Sequence, residues 1–177
     1  WGILGAARVN ERLLPAIIEA PNSQLVAIAS RRNGAAKTTL EKYAPCYSDS
    51  VTCYDNMDAL INDKNVEAIY CPMANEEHAE WALKAIAAGK HVLIEKPMTT
   101  RLAEIEAVEL AAKQANIKVM EGFMYRFHPQ HKRLQEIVDS GLIGDVLSAR
   151  ASFSFLMKEA RMYRINRSMA DGGGAMW

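Results

Sequence analysis

The sequence predicts an α/β protein: a doubly wound parallel sheet, followed by the truncated start of an α+β domain with an open antiparallel sheet. Two observations predict the first part. Apolar runs too short to be helices recur through the first two thirds of the chain, and amphipathic helical patterns separate them. This alternation is typical of βαβ units, in which helices cover both faces of buried parallel strands. A third observation, a change of pattern after Phe123, predicts the second part.

The amino-terminal half contains three of the six predicted strands. Residues 2–4 (GIL) and 25–29 (LVAIA) are apolar runs of strand length, and a short third strand surrounds Tyr54. Apolar residues at 9, 13, 14, 17 and 18 have helical spacing, which predicts a first helix ending near Glu19. A second helix is predicted over 34–43. A third begins after Asn56 or Asp58, either of which can cap it.

The alternation continues through residue 121. Residues 66–71 (VEAIYC) and 91–94 (HVLI) are strand-like, and the helix predicted between them, 76–88, is closed by Gly89. A long helix over 101–115 then leads to a sixth strand at 117–121. Six strands in this order of elements predict a doubly wound sheet of Rossmann type. We place a domain boundary near Gly122, with a first domain over 1–121 and an incomplete second domain over 122–177.

The second part begins with a helix predicted over 129–140 and ended by Gly141. Residues 145–155 (DVLSARASFSF) then alternate between apolar and polar, which predicts an antiparallel strand with one face in water. The chain begins at Trp1 directly on a strand pattern, and it stops at Trp177 directly after a glycine-rich turn. We therefore expect a fragment of a longer protein.

Composition argues against several functional classes. The chain has 21 basic and 21 acidic residues among 177, so its charge favours neither nucleic acid nor an anionic membrane as a partner. No apolar run approaches the roughly 18 residues of a membrane span, and the first residues do not resemble a signal peptide. Cys46, Cys53 and Cys71 lack CxxC spacing. We expect reduced thiols, no metal site and a cytoplasmic location.

The first turn between a strand and a helix reads GAARVN, where a dinucleotide-binding fold places its phosphate loop. Small residues there let backbone N–H groups at the helix start approach a pyrophosphate. Gly5 fits the first glycine of that pattern, whereas Ala7 and Asn10 replace the second and third. Arg8 could add a charged contact to a phosphate. The alternatives are an ordinary tight turn and an exposed helix arginine.

The second strand ends in Ser30-Arg31-Arg32. An NAD-selective domain usually carries Asp or Glu at this position, to bind the ribose 2′-hydroxyl. A carboxylate would repel a 2′-phosphate, whereas arginine can bind it with two hydrogen bonds and serine can donate one. The sequence therefore favours NADP over NAD. The alternative is a solvated loop.

The fourth strand ends at Pro72, and Asn75 and His78 follow it closely. Asn75 is a plausible N-cap for the helix that carries His78, and such a histidine more often packs at a helix start than binds a ligand. Ligands of open α/β sheets bind at the carboxyl ends of strands. For that reason Pro72, Asn75 and His78 are also candidates for cofactor contact.

The fifth strand ends in Glu95-Lys96-Pro97. A lysine at the carboxyl end of a strand, beside a glutamate, can donate to a substrate oxygen or take part in proton transfer. The proline favours an extended backbone at Lys96 and makes a cis peptide bond conceivable. The alternative is a surface ion pair.

Taken together, these segments resemble the Gfo/Idh/MocA oxidoreductase family. The resemblance rests on WGILGAARV, ASRR, YCPMANEEHAEW, AGKHVLIEKP, EGFMYRFHPQ and DGGGAMW, which cover nearly the whole chain. Within the family it is similar to the NADP-dependent D-xylose 1-dehydrogenase and dimeric dihydrodiol dehydrogenase branch. The resemblance implies an amino-terminal NAD(P)-binding Rossmann domain and a carboxy-terminal α/β domain for substrate binding and dimerisation.

The resemblance also implies roles for individual residues. Lys96 would contact the substrate and the nicotinamide ribose, Glu95 would orient Lys96, and Pro97 would shape the turn; Glu95 and Lys96 are the expected catalytic residues. The family places a Tyr or His acid/base beyond the position of Trp177. The expected cofactor-binding residues are Gly5, Ala6, Ala7, Arg8, Val9, Ser30, Arg31, Arg32, Pro72, Asn75, His78, Glu95, Lys96 and Arg126.

The function expected from this resemblance is hydride transfer between NADP(H) and a sugar or polyol substrate, by a protein that is a homo-oligomer at full length. Two alternatives stay open. The protein could be an NADP-binding regulator of the same fold without catalysis, although the retained Glu95-Lys96-Pro97 argues against this. The 177-residue chain could also be an inactive truncation.

Overall fold

The computed structural model describes residues 1–152, 154 and 156 of the 177-residue chain. Six parallel strands form one sheet in the order β3-β2-β1-β4-β5-β6. Their bounds are β1 Gly2–Leu4, β2 Ala27–Ala29, β3 Thr52–Tyr54, β4 Ala68–Cys71, β5 His91–Ile94 and β6 Val119–Glu121. The predicted doubly wound parallel sheet is confirmed. The strand order reverses between β1 and β4, which is where such sheets bind their ligands.

Helices cover both faces of the sheet. Their bounds are α1 Asn10–Glu19, α2 Ala35–Tyr43, α3 Met57–Ile61, α4 His78–Ala87, α5 Leu102–Ala115 and α6 Pro129–Asp139. One hydrophobic core contains Leu60, Ala82 and Val108, from α3, α4 and α5. A second contains Leu14 and Leu40, from α1 and α2. Because strands buried on both faces need apolar residues throughout, the continuous apolar runs in the sequence have the expected cause.

The predicted helix caps have different outcomes. Of the two predicted caps, Asn56 caps α3: its side-chain oxygen accepts hydrogen bonds from the backbone N–H groups of Asp58 and Ala59, at 2.8 and 3.4 Å, and Asp58 lies in the first turn. The prediction that Asn75 caps the next helix is wrong. Asn75 begins a short 3-10 turn, Asn75–Glu77, which continues directly into α4, so that Glu77 takes the N-cap position.

The prediction of a strand over 145–155 is not met by the residues that the structure describes there, 145–152 and 154, which are in no strand. A strand requires hydrogen bonds to a neighbouring strand. The described sheet ends with β3 on one side and β6 on the other, and neither pairs with this segment. Among the described residues, no helix has the length and apolar character needed to cross a membrane.

Candidate active site at the carboxyl edge of the sheet

The carboxyl ends of the strands carry most of the predicted site residues, and backbone hydrogen bonds hold these residues in line with the sheet. The first residue after each of four strands still donates its N–H to the neighbouring strand. The donor–acceptor pairs are Gly5 to Ala29 (2.8 Å), Ser30 to Tyr54 (2.9 Å), Glu95 to Cys71 (3.1 Å) and Gly122 to Ile94 (2.7 Å). The site residues therefore extend from a rigid element, which limits their movement.

An open groove of about 260 Å³ lies where the strand order reverses. Seven predicted site residues line it, namely Gly5, Ala6, Ala7, Ser30, Arg31, Arg32 and Pro72. The sequence did not predict the other four lining residues, which are Met57, Met73, Ala74 and Glu77. The turns after β1, β2 and β4 thus meet around one cavity, as expected for ligand binding at the carboxyl ends of parallel strands.

The first residue of the turn after β1 has a backbone conformation that requires glycine. Gly5 has φ +121°, a conformation that L-residues with a side chain rarely adopt, and a Cβ atom there would lie 3.0 Å from Met73 Sδ. Gly5 is therefore required by the backbone at this point. The bare turn leaves the start of α1 accessible to an anionic group.

Asn10, at the third glycine position of the phosphate loop, closes this turn. Its buried side-chain Nδ2 donates to the carbonyl oxygen of Gly5 at 2.8 Å. Its Oδ1 is also buried and has no hydrogen-bond partner among the described residues. The departure from the glycine pattern thus adds a side-chain connection that holds the turn.

Arg31 and Arg32 lie at the mouth of the groove with different partners. Arg31 forms a bidentate ion pair with Glu77: Nη1 is 2.6 Å from Oε1, and Nη2 donates to Oε2 at 3.0 Å. Arg32 donates from Nη2 to the carbonyl oxygen of Ala6 at 3.2 Å. Ser30 Oγ accepts from the N–H of Arg32 at 3.2 Å, so its hydroxyl hydrogen can still donate to a ligand.

The turn after β5 carries Glu95 and Lys96, both partly buried, and the Lys96–Pro97 peptide bond is cis. The hydroxyl of Tyr70 donates to Glu95 Oε1 at 2.7 Å. Burial, and to a smaller extent this hydrogen bond to the carboxylate, raises the pKa of Tyr70 well above its usual value. Burial likewise raises the pKa of the nearby Cys71 thiol to about 12, so Cys71 is not a thiolate nucleophile near neutral pH.

Several predicted cofactor contacts do not line the groove. Arg8 is exposed, and Val9 packs against the core under α1 and α2. Asn75 lies within the 3-10 turn before α4. Arg126 is exposed on a separate 3-10 turn, Met124–Phe127.

His78 requires a correction of its proposed role. Its side chain is fully buried, and its two ring nitrogens lie 2.7 Å from the carbonyl oxygen of Pro97 and 3.0 Å from that of Met73. No part of the ring is exposed for direct contact with a cofactor. The other interpretation of the sequence, in which His78 packs at a helix start, agrees better with this burial.

The missed residues give different sequence signals. Glu77 was visible as an acidic residue near a helix start, but nothing in the sequence pairs it with Arg31, 46 positions earlier. Tyr70 lies in an apolar strand and resembles an ordinary core residue. Both contacts depend on the packing of neighbouring strands and their turns, which local sequence patterns do not specify.

Comparison with known proteins adds independent information. Residues 1–123 match the family model for Gfo/Idh/MocA, described as an oxidoreductase family with an NAD-binding Rossmann fold. A dTDP-3,4-didehydro-2,6-dideoxy-alpha-D-glucose 3-reductase of Actinomadura kijaniata is 37% identical over 99% of this chain and 51% of its own length. A D-xylose 1-dehydrogenase (NADP(+)) 2 of Haloferax volcanii is 36% identical over 97% of this chain and 51% of its own length.

Solved structures agree with these matches. A 3-ketoreductase from Actinomadura kijaniata, in complex with NADP and TDP-benzene, superposes with a TM-score of 0.73 at 36% identity. The match covers 81% of this chain and 43% of that protein. This chain therefore spans about half the length of the curated relatives that it matches.

Proposed function

Because this chain belongs to the Gfo/Idh/MocA oxidoreductase family, we propose that the complete protein transfers hydride between NADP(H) and a sugar-type substrate. A CH–OH group and a carbonyl would interconvert. The observation that carries the proposal is the meeting of three turns, after β1, β2 and β4, around one groove on the same sheet edge as the turn bearing Lys96. We retain 1–121 as the cofactor domain and 122–177 as the beginning of a substrate and dimerisation domain.

The groove residues suit a dinucleotide phosphate. Gly5 leaves the turn without a side chain, and Ala6 and Ala7 line the groove with small side chains. Backbone N–H groups at a helix start favour a pyrophosphate because they carry partial positive charge. Gly5, Ala6 and Ala7 would therefore hold the pyrophosphate, and Arg8 and Val9 would act only through their backbone in this arrangement.

The turn after β2 would select the 2′-phosphate. Ser30 has a hydroxyl hydrogen to donate, and Arg31 and Arg32 bring two guanidinium groups to the groove. Arginine binds phosphate oxygens through paired N–H groups, which favours NADP over NAD. The bound nicotinamide would supply or accept the hydride.

The turn after β5 would serve the reacting end. Lys96 would donate a hydrogen bond to the substrate oxygen, and Glu95 would orient Lys96. Arg126 would line the site only after the second domain completes it. The final acid/base would come from the remainder of the protein, as the family resemblance implies.

The substrate proposal stays at the level of a sugar, free or linked to a nucleotide. The relatives named above include a xylose dehydrogenase and a dTDP-sugar reductase, at 36% and 37% identity. This similarity does not single out the xylose and dihydrodiol branch. Homo-oligomerisation also stays a prediction.

Titration of this chain with reduced dinucleotides tests the cofactor. We expect NADPH to bind at least tenfold more tightly than NADH, because one good charge-assisted contact to the 2′-phosphate is worth about 1.5–3 kcal/mol. Nicotinamide fluorescence gives both dissociation constants. Tighter binding of NADH would contradict the assignment of Ser30 and Arg31.

Turnover by the complete protein tests the reaction. A panel of free aldoses, polyols and a dTDP-linked ketosugar, followed by NADPH absorbance at 340 nm, should reveal activity with one class. Binding of NADPH without turnover on any of them would favour the regulator alternative. Turnover by the 177-residue chain alone would contradict the expectation that it is an inactive truncation.

Replacing Glu77 with glutamine should tighten NADPH binding by about three- to tenfold. The change removes one negative charge near the expected 2′-phosphate and releases Arg31 from its ion pair. NADH affinity should change less, because NADH lacks the added charge. Glu80→Gln on the next turn, where Glu80 pairs with Lys84, is the matched control and should change neither affinity. Weaker NADPH binding by the Glu77 variant would show that the ion pair assists the cofactor.

A further inference from the structure

We propose that Tyr70, His78 and Glu121 are positioning residues that hold the Lys96 turn, defined as residues 95–98, from three separate elements. The inference rests on the proposed function, in which Lys96 acts on the substrate. None of the three side chains needs to contact the substrate, because each contacts another residue of the Lys96 turn.

Tyr70 holds the amino-terminal side of the turn. It lies in β4, is 1% exposed, and packs its ring in the core under α1 and α2. Its hydroxyl donates to Glu95 Oε1 at 2.7 Å. Because the ring is enclosed, the hydroxyl is a fixed anchor for the carboxylate beside Lys96. The backbone N–H of Glu95 donates a hydrogen bond to the carbonyl oxygen of Cys71, which fixes the same residue a second time.

His78 holds the centre of the turn. From the first position of α4 its Nδ1 lies 2.7 Å from the carbonyl oxygen of Pro97, and its Nε2 lies 3.0 Å from that of Met73. Carbonyl oxygens only accept, and a neutral imidazole donates from one nitrogen whereas an imidazolium donates from both. In either state the buried ring lies between the Lys96 turn and Met73, which lines the cofactor groove.

Glu121 holds the carboxy-terminal side of the turn. It is the last residue of β6, and its Oε1 accepts from the backbone N–H of Met98 at 2.7 Å. The following residue, Gly122, packs tightly against the end of β5: a Cβ atom there would lie 3.2 Å from the carbonyl oxygen of Ile94, and 3.6 Å from Glu95 Oε1. β6 therefore supports the turn through both a hydrogen bond and close packing.

These three contacts surround Lys96 on both sides along the chain. A displacement of about 1 Å in a reacting group can cost on the order of a hundredfold in rate, so fixed neighbours have a direct kinetic value. A catalytic group must be held within about 0.5 Å of its productive position, and supporting hydrogen bonds and packing provide that hold. Tyr70, His78 and Glu121 form a frame that links the Lys96 turn to β4, α4 and β6. Through Met73 the frame also reaches the cofactor groove.

The first test compares two tyrosine-to-phenylalanine variants of the complete protein. Tyr70→Phe removes the hydroxyl bonded to Glu95 and should lower kcat by about tenfold, with KM for NADP(H) within about twofold of wild type. Tyr54→Phe removes a similar contact, from the Tyr54 hydroxyl to Asp63 Oδ2 at 3.2 Å. Tyr54 lies in β3, at the edge of the sheet opposite to β6. The Tyr54→Phe variant should leave both constants unchanged. Thermal unfolding midpoints of the two variants identify any loss of folding.

The second test uses Glu121. Glu121→Ala should lower kcat in the same way, whereas Glu121→Gln keeps an acceptor oxygen for Met98 N–H and should restore most of it. In the 177-residue chain, hydrogen exchange of the Met98 amide should accelerate with alanine and return towards wild type with glutamine. A purely structural role would change the unfolding midpoint without this split between kcat and KM.

The outcomes separate the inference from the proposed function. An active wild-type protein whose Tyr70→Phe and Glu121→Ala variants keep their kcat would overturn the inference alone. An inactive wild-type protein would overturn the proposed function, and Met98 exchange would then decide whether the frame exists. If Glu121→Ala left the hydrogen exchange of the Met98 amide unchanged, the inference would be wrong as well.

Discussion

Replacing Lys96 with methionine should lower kcat of the complete protein by about 10²–10⁴-fold, the range that a positioned proton donor contributes. Methionine approximates the length of the lysine chain without its charge or its N–H donors. NADPH affinity should change by less than about fivefold, because the groove that would bind the pyrophosphate and 2′-phosphate is lined by residues of the other turns. Steady-state kinetics and fluorescence titration on the same preparation measure both quantities.

Lys113→Met is the control for this variant. Lys113 is an exposed lysine of α5 that pairs with Glu109, one turn earlier on the same helix. Its replacement should leave kcat and NADPH binding unchanged. A Lys96→Met protein with wild-type turnover would exclude Lys96 as a catalytic residue. A protein that lost NADPH binding in parallel would instead assign Lys96 mainly to the cofactor.

Replacing Arg31 with alanine should weaken NADPH binding by about 10- to 100-fold and change NADH binding by less than about threefold. The difference arises because a charge-assisted contact to the 2′-phosphate, worth about 1.5–3 kcal/mol, is absent in NADH. The exposed part of Arg31 is 60% of its side chain, so the free guanidinium can turn towards a ligand once it leaves Glu77. Titration with both dinucleotides gives the selectivity ratio.

Two further variants show what Arg31 contributes. Arg133→Ala breaks another arginine–glutamate pair, with Glu136 on α6, and should not alter either affinity. The double variant Arg31→Ala/Glu77→Gln separates loss of the guanidinium from exposure of an unpaired carboxylate, and its NADPH affinity should lie between those of the single variants. Equal losses for NADPH and NADH would mean that Arg31 binds a part common to both cofactors.

The sequence predicted the sheet well because strand and helix patterns are local. The five strands with predicted bounds lie within the predicted segments, the third strand lies at Tyr54 as predicted, and the five helices with a predicted start begin within about two residues of it. Three predicted segments, 25–29, 66–71 and 117–121, were longer than the observed strands Ala27–Ala29, Ala68–Cys71 and Val119–Glu121, whereas 2–4 and 91–94 match the observed bounds. Pairing trims a strand where its neighbour ends, and the length of the neighbour is not a local property.

The candidate site was predicted in part, for the same reason. Gly5, Ser30, Arg31 and Pro72 follow strands whose carboxyl ends meet in a parallel sheet, so the sequence itself predicts their positions. His78 was misjudged as a cofactor contact. Its helix start was correctly placed nearby, but whether its ring faced the groove or the core depended on the turn after β5.

The sequence alone determined the fold class of the first domain, the sheet edge at which a ligand is expected and the residue types that would recognise a phosphate. These follow from hydrophobic period, strand count and the chemistry of residues at strand ends. Only the tertiary structure decided the partners: Arg31 with Glu77, Asn10 with Gly5, and Tyr70, His78 and Glu121 with the Lys96 turn. Such contacts require ångström-scale packing between elements 5 to 46 positions apart in the chain. A pattern of residue types along the chain does not contain that distance information.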